Sequence, residues 1–215
     1  ALNSTAGNNQ TGSIAIGRNS LTAMTTGHSN VAIGYEAGQA ITTSNQNVAL
    51  GWQALKEHVG GGSNIAIGPN AMDETAGSSA AASAYNIAIG RDALGGDWAD
   101  ATSNSNIAIG AFAMDASLND ADNNIAVGYN ALSELTTGDN NTAIGKDALS
   151  AVNTGGWNVA VGARCGDALT DGNYNVFIGE FAGSTTTSVD NAVFIGQSAG
   201  ASNDITADGA IGIGL

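Results

Sequence analysis

The chain has 215 residues, of which 43% are hydrophobic and only 11% are charged, and its formal net charge is −14. This balance argues against nucleic acid as a partner, because binding it needs a basic surface and the five Lys and Arg residues are scattered. No apolar run reaches the roughly 18 residues of a membrane span, which predicts no membrane insertion, and a single cysteine excludes an intrachain disulfide.

One short motif recurs along the whole chain: Asn, an aliphatic residue, Ala, a second aliphatic residue and Gly. It reads NVAIG at Asn30–Gly34, NVALG at Asn47–Gly51 and NIAIG at Asn64–Gly68. Most of the closing glycines recur at a constant spacing, and such a fixed short period is typical of a solenoid, in which each repeat is one coil stacked on the last. The sequence therefore predicts an all-β, parallel β-solenoid of about 12 coils that fills residues 1–215 as a single domain.

The two faces of the strand in each coil differ in chemistry. Side chains alternate along a strand, so Val31 and Ile33 share one face while Asn30 and Ala32 share the other. We expect the aliphatic face to fill the coil and the alanine column to lie outside. A smooth apolar alanine strip exposed to water would favour association, which predicts an oligomer that forms through the Ala column.

Other columns predict how the coils stack. The asparagines are expected to form a ladder of amides, and the motif glycines to provide a positive φ or a close backbone approach. Cys165 occupies a position where other coils carry Ala, which indicates a small buried residue. The two histidines, His28 and His58, are expected to be solvated corner residues.

Three consecutive repeats exceed the common spacing of 17 residues, which places loop insertions within 73–84, 95–103 and 115–122. Insertions in solenoids often form the binding face. Trp98 lies in the second insertion and belongs to no column, with Asp97 and Asp100 beside it. An aromatic ring flanked by carboxylates suits a sugar, so these three residues are the candidate binding site. The alternative is that Trp98 folds back to plug its own loop.

The repeat resembles the head repeats of trimeric autotransporter adhesins and, more closely, the 17-residue repeats of phage tail fibres and related bacterial surface proteins. Asn141–Leu149, NTAIGKDAL, is close to that form. The resemblance implies a left-handed parallel β-roll and three chains along one axis, which makes the expected oligomer a homotrimer through the Ala column. It also implies adhesion or receptor binding. Phe177 and Phe194 depart from the pattern by replacing the alanine, which predicts a wider coil or interface there.

No motif for catalysis or for a bound cofactor or metal is recognised, so we expect no enzyme and no cofactor. The predicted function is the shaft or receptor-binding segment of an extracellular tail fibre or surface adhesin, with a cell-surface glycan as a candidate partner. A self-assembling extracellular filament subunit is the alternative, followed by an ice-binding or polysaccharide-degrading solenoid.

Overall fold

The computed structural model describes residues 11–75, 82–98, 102–201, 205 and 207–214. One three-residue strand forms in each coil, and all pair in parallel, in sequence order, in one twelve-stranded sheet. The parallel β-solenoid predicted from the repeat is confirmed. The strands are β1 (Ile14–Ile16), β2 (Val31–Ile33), β3 (Val48–Leu50), β4 (Ile65–Ile67), β5 (Ile87–Ile89), β6 (Ile107–Ile109), β7 (Ile125–Val127), β8 (Thr142–Ile144), β9 (Val159–Val161), β10 (Val176–Ile178), β11 (Val193–Ile195) and β12 (Ile211–Ile213).

Equivalent motif positions lie directly above one another. Ala32 pairs with Ala49, and Ala66 pairs with Ala88 even though an insertion separates them. The segments between strands are turns. Their backbone groups also form hydrogen bonds with the next coil; for example, the Leu132 N–H donates to the Ala148 carbonyl at 3.1 Å. The described residues contain no α-helix. Stacking between neighbouring coils thus satisfies backbone groups along the strand and along the turns.

The strand faces the opposite way from the sequence-based prediction. The alanine at the centre of each of the strands β2 to β9 is buried, as in Ala66 and Ala108, whereas Ile33 is 40% exposed. The predicted exposed Ala column is therefore wrong, and so is the assignment of a chain–chain interface to it. A short coil has a thin interior, and the small methyl group of alanine leaves room there for larger side chains from the turns.

Larger side chains enter the interior from the turns that follow each strand. A second buried alanine precedes a buried Leu or Met in most coils, for example Ala54 with Leu55 and Ala71 with Met72. Cys165 replaces that alanine in one coil, is fully buried, and its Sγ lies 3.1 Å from the Phe177 carbonyl oxygen. Burial raises the pKa of the Cys165 thiol to about 12. The prediction of a small buried residue is confirmed.

A further buried side chain, three or four residues later, completes the filling of each coil. We call this set the inner column. Its members are Met24, Ile41, His58, Thr75, Trp98, Leu118, Leu135, Val152, Leu169 and Thr186.

The motif asparagines form the predicted ladder, and they also brace each coil internally. The Asn124 Oδ1 accepts from the Asn141 backbone N–H at 2.9 Å and from the Asn141 Nδ2 at 3.1 Å. The Asn124 Nδ2 meanwhile donates at 2.9 Å to the carbonyl of Gly138, at the second corner of its own coil. The hydrogen-bonding groups of each buried amide are thereby satisfied, and the Asn side chain ties the start of a strand to the second corner of the same coil.

The motif glycines are required both by conformation and by space. Gly128 has φ +143°, and a Cβ built there would lie 2.3 Å from the Gly145 carbonyl oxygen of the next coil. No side chain fits at that distance, so the predicted role of this glycine is confirmed.

Phe177 and Phe194 are accommodated without a break in the stack. Both lie in the core at the place of the strand alanine, and β10 and β11 keep the same register. Gly183 and Gly200 occupy the position that Leu or Met holds in most coils, and a Cβ at Gly183 would lie 3.0 Å from the Phe177 ring. The rings therefore need no wider coil, because Phe with Gly fills about the same volume as Ala with Leu.

We predict that Gly183→Leu destabilises the protein by about 1–3 kcal/mol, because the new side chain overlaps the Phe177 ring. Phe177→Ala should cost about 3–5 kcal/mol through the cavity that it leaves. The double variant restores the Ala–Leu pair that most other coils carry. Its loss in free energy of unfolding should therefore be clearly smaller than the sum of the losses of the two single variants. Urea unfolding of the four proteins measures this coupling, and strictly additive losses would show that the two side chains do not share one space.

Candidate functional site

Trp98 does not form the predicted surface site. Its side chain is 1% exposed and lies in the inner column, where other coils carry Leu118 or Leu135. Its indole Nε1 has no hydrogen-bond partner among the described residues. The candidate site at Trp98 is therefore wrong, because a ring inside the coil is not available to stack on a sugar. Asp97 is exposed beside it, and Asp100 lies outside the described residues.

His58 also belongs to the inner column and is fully buried, which corrects its assignment as a solvated corner residue. Its Nδ1 lies 3.1 Å from the Thr75 hydroxyl of the next coil, and its Nε2 lies 2.9 Å from the Gly61 carbonyl oxygen. A neutral imidazole satisfies both contacts, with Nε2–H as donor and Nδ1 as acceptor. Burial lowers the pKa of His58 to about 4. His28, in contrast, is exposed as expected.

The largest surface feature is the outer face of the sheet. The first and third residue of every strand point outward, so twelve strands supply twice twelve side chains in two adjacent columns, which we call the aliphatic stripe. All are Ile, Val or Leu except Thr142. These side chains are half-buried or exposed along the whole sheet, including Ile109 at 38% and Ile144 at 41%. Sequence reasoning recognised these residues but placed them inside.

Two aromatic side chains, the exposed Tyr129 and the half-buried Phe112, provide a second feature. Phe112 and Tyr129 lie on neighbouring coils in edge-to-face contact, with ring centroids 5.8 Å apart. They border a groove of about 460 Å³ that also contains Asp115 and Glu134. Asp115 lies in the insertion at 115–122, which was predicted to contribute to a binding face. The other two insertions include residues 76–81 and 99–101, which lie outside the described residues.

Comparison with protein-family models, with curated proteins and with solved structures finds no match to this chain. Across the part of the chain that the structure describes, no helix has the length and hydrophobicity needed to cross a bilayer. The two surface features from which a function can be inferred are the aliphatic stripe and the Phe112–Tyr129 groove.

The buried histidine gives the protein a predictable response to acid. Because the pKa of His58 is lowered from 6.5 to about 4, the unfolded chain binds a proton in that window that the folded chain does not. The stability gained by burying His58 in its neutral form is therefore complete above pH 6.5, and it is lost as the pH falls toward 4. We expect His58→Leu, which places the common inner-column residue there, to gain about 2 kcal/mol relative to the wild type between pH 7.5 and pH 5.

Urea unfolding of both proteins at the two pH values measures the difference. The comparison with the wild type is needed because burial raises the pKa of Asp73 to about 7 and that of Asp115 to about 6. Those two carboxyl groups stabilise the fold as the pH falls, and their contribution is the same in both proteins. A constant difference between the proteins at the two pH values would show that His58 takes up its proton in the folded state as readily as in the unfolded chain.

Proposed function

We propose that this chain is the shaft or receptor-binding segment of an extracellular adhesive fibre, of the tail-fibre or surface-adhesin kind, in which three copies associate side by side. The observation that carries the proposal is the aliphatic stripe, an apolar strip along one side of the solenoid in which Thr142 is the one polar residue. We propose no catalytic role.

The size and position of the stripe favour an interface. Coils stack about 4.8 Å apart, so twelve of them give a strip about 50 Å long. At a width of about 10 Å it covers about 500 Å², which is at the upper end of what a monomer exposes as one apolar patch. Parallel sheets, moreover, normally have both faces covered. One face of this sheet is covered by its own coil, and a second copy of the chain would cover the other.

The arrangement of the stripe in two columns supports a ring. In a cyclic assembly each chain has two neighbours, and the first column of one chain can pack against the second column of the next. Three is the smallest number of chains that closes such a ring. With the chains parallel and in register, aliphatic side chains meet aliphatic side chains at every level except that of Thr142, because every other coil carries two of Ile, Val and Leu. The acidic residues then remain on the outside of a soluble fibre.

We predict that the chain is a trimer with a mass of about three times 21.1 kDa. The double variant Ile109→Arg and Ile144→Arg should be monomeric, because two guanidinium groups per chain would be buried without partners in the interface. It should keep its β-sheet circular dichroism, since both side chains point away from the coil interior. Light scattering coupled to size-exclusion chromatography measures the mass.

The matched control is Thr137→Arg, an exposed turn residue outside the stripe, which should remain trimeric. A wild-type chain that is monomeric at tens of micromolar, or a double variant that assembles normally, would contradict the proposed interface. Mass that grows without limit as the concentration rises would instead indicate an open filament.

A further inference from the structure

We propose that the groove bordered by Phe112 and Tyr129 is a binding site for a neutral saccharide. The proposal extends the adhesive role proposed above, and it places recognition on the outer surface of the solenoid rather than at the buried Trp98. The groove is formed by two consecutive coils, and its volume of about 460 Å³ lies in the range of small-molecule sites.

The aromatic wall provides a platform for the flat, apolar face of a sugar ring. Tyr129 is 50% exposed, and the edge-to-face contact with Phe112 at an interplanar angle of 84° holds its ring in place. The Arg91 guanidinium lies 4.5 Å from the centre of the Phe112 ring and so covers one side of it. Tyr129 is therefore the ring that remains open to a ligand.

The remaining walls carry polar groups whose hydrogen-bonding capacity the fold does not use. Among the described residues, the side chains of Asp115, Asn130 and Glu134 make no hydrogen bond, although each lines the groove. The Ser133 hydroxyl also lines it and donates at 3.3 Å to the Ser150 carbonyl, which leaves its oxygen free to accept. Two carboxylates, an amide and a hydroxyl beside an exposed aromatic ring suit a ligand with several hydroxyl groups on an apolar ring.

The charge in and around the groove selects among sugars. Asp115 is half-buried, and its pKa is raised to about 6, first by burial and then by Asp92, Glu74 and Glu134. Two cations lie near the aromatic wall, and both are paired with carboxylates. Arg91 is 3.4 Å from Asp92, and Lys146, which takes the position of Tyr129 in the next coil, is 3.5 Å from Asp147. An acidic sugar would add a further negative charge to this cluster, so sialic and uronic acids should be rejected. The partial burial of Asp115 strengthens its hydrogen bonds to neutral hydroxyls, because less water competes for its oxygens.

The site is tested by binding the assembled wild-type protein to immobilised neutral hexose and N-acetylhexosamine oligosaccharides and to their sialylated and uronic counterparts. The best neutral saccharide is then titrated. We expect binding to neutral members only, and a loss of about tenfold or more in affinity for Tyr129→Ala, because aromatic anchors dominate recognition. Ala116→Trp, which fills the groove from its other wall, should abolish binding while Tyr129 stays intact.

The matched control is Trp52→Ala, which removes an exposed aromatic ring from the equivalent position of another coil and should leave the affinity within about twofold of the wild type. Absence of binding to all neutral saccharides, preference for acidic ones, or equal affinity of Tyr129→Ala and the wild type would overturn the proposal. Light scattering on the same samples separates it from the proposed assembly. A monomer that still binds neutral sugars through Tyr129 contradicts the trimer alone, and a trimer that binds none contradicts the groove alone.

Discussion

The constraint on which the structure depends is that every coil must repeat the backbone path of the one before it. Hydrogen bonds run from coil to coil in the strands and also in the turns, so a displaced coil would lose all of them together. The carbonyl of each motif glycine lies so close to the glycine below that no Cβ fits, and the buried asparagine ladder repeats at the same interval. These two columns fix the register, and insertions are accepted only where the chain leaves the stack.

The thin interior imposes a second constraint, on volume. Strand alanine combined with Leu or Met, as in Ala66 and Met72, fills a coil, and Phe177 combined with Gly183 fills it equally well. The inner column tolerates Leu, Val, Thr, Trp and a neutral His, provided that a polar member such as His58 finds partners in its own or the next coil. The solenoid therefore keeps its outer path constant while its core composition changes.

Filling the coil with alanine has a consequence for function. The large aliphatic residues of each strand are left outside, where they form a stripe that other copies of the chain can cover. The proposed saccharide site uses other residues, where Asp115 of one insertion lines the same groove as Phe112 and the exposed Tyr129. In the adhesive fibre that we propose, the stripe would serve assembly and the groove would bind the ligand.

The repeat alone determined the architecture, because a regularly spaced glycine and an asparagine ladder are compatible with few folds other than stacked coils. The role of Cys165 followed in the same way, from the residue types in its column. Only the tertiary structure decided which strand face is inside, because alternation defines two faces but not their direction. The deciding volume comes from Leu and Met residues in the turns. The same limit applies to His58, Trp98 and the Phe112–Tyr129 groove. The burial of His58 and Trp98 and the shape of the groove depend on the path of the turns between strands. The length of the repeat does not specify that path.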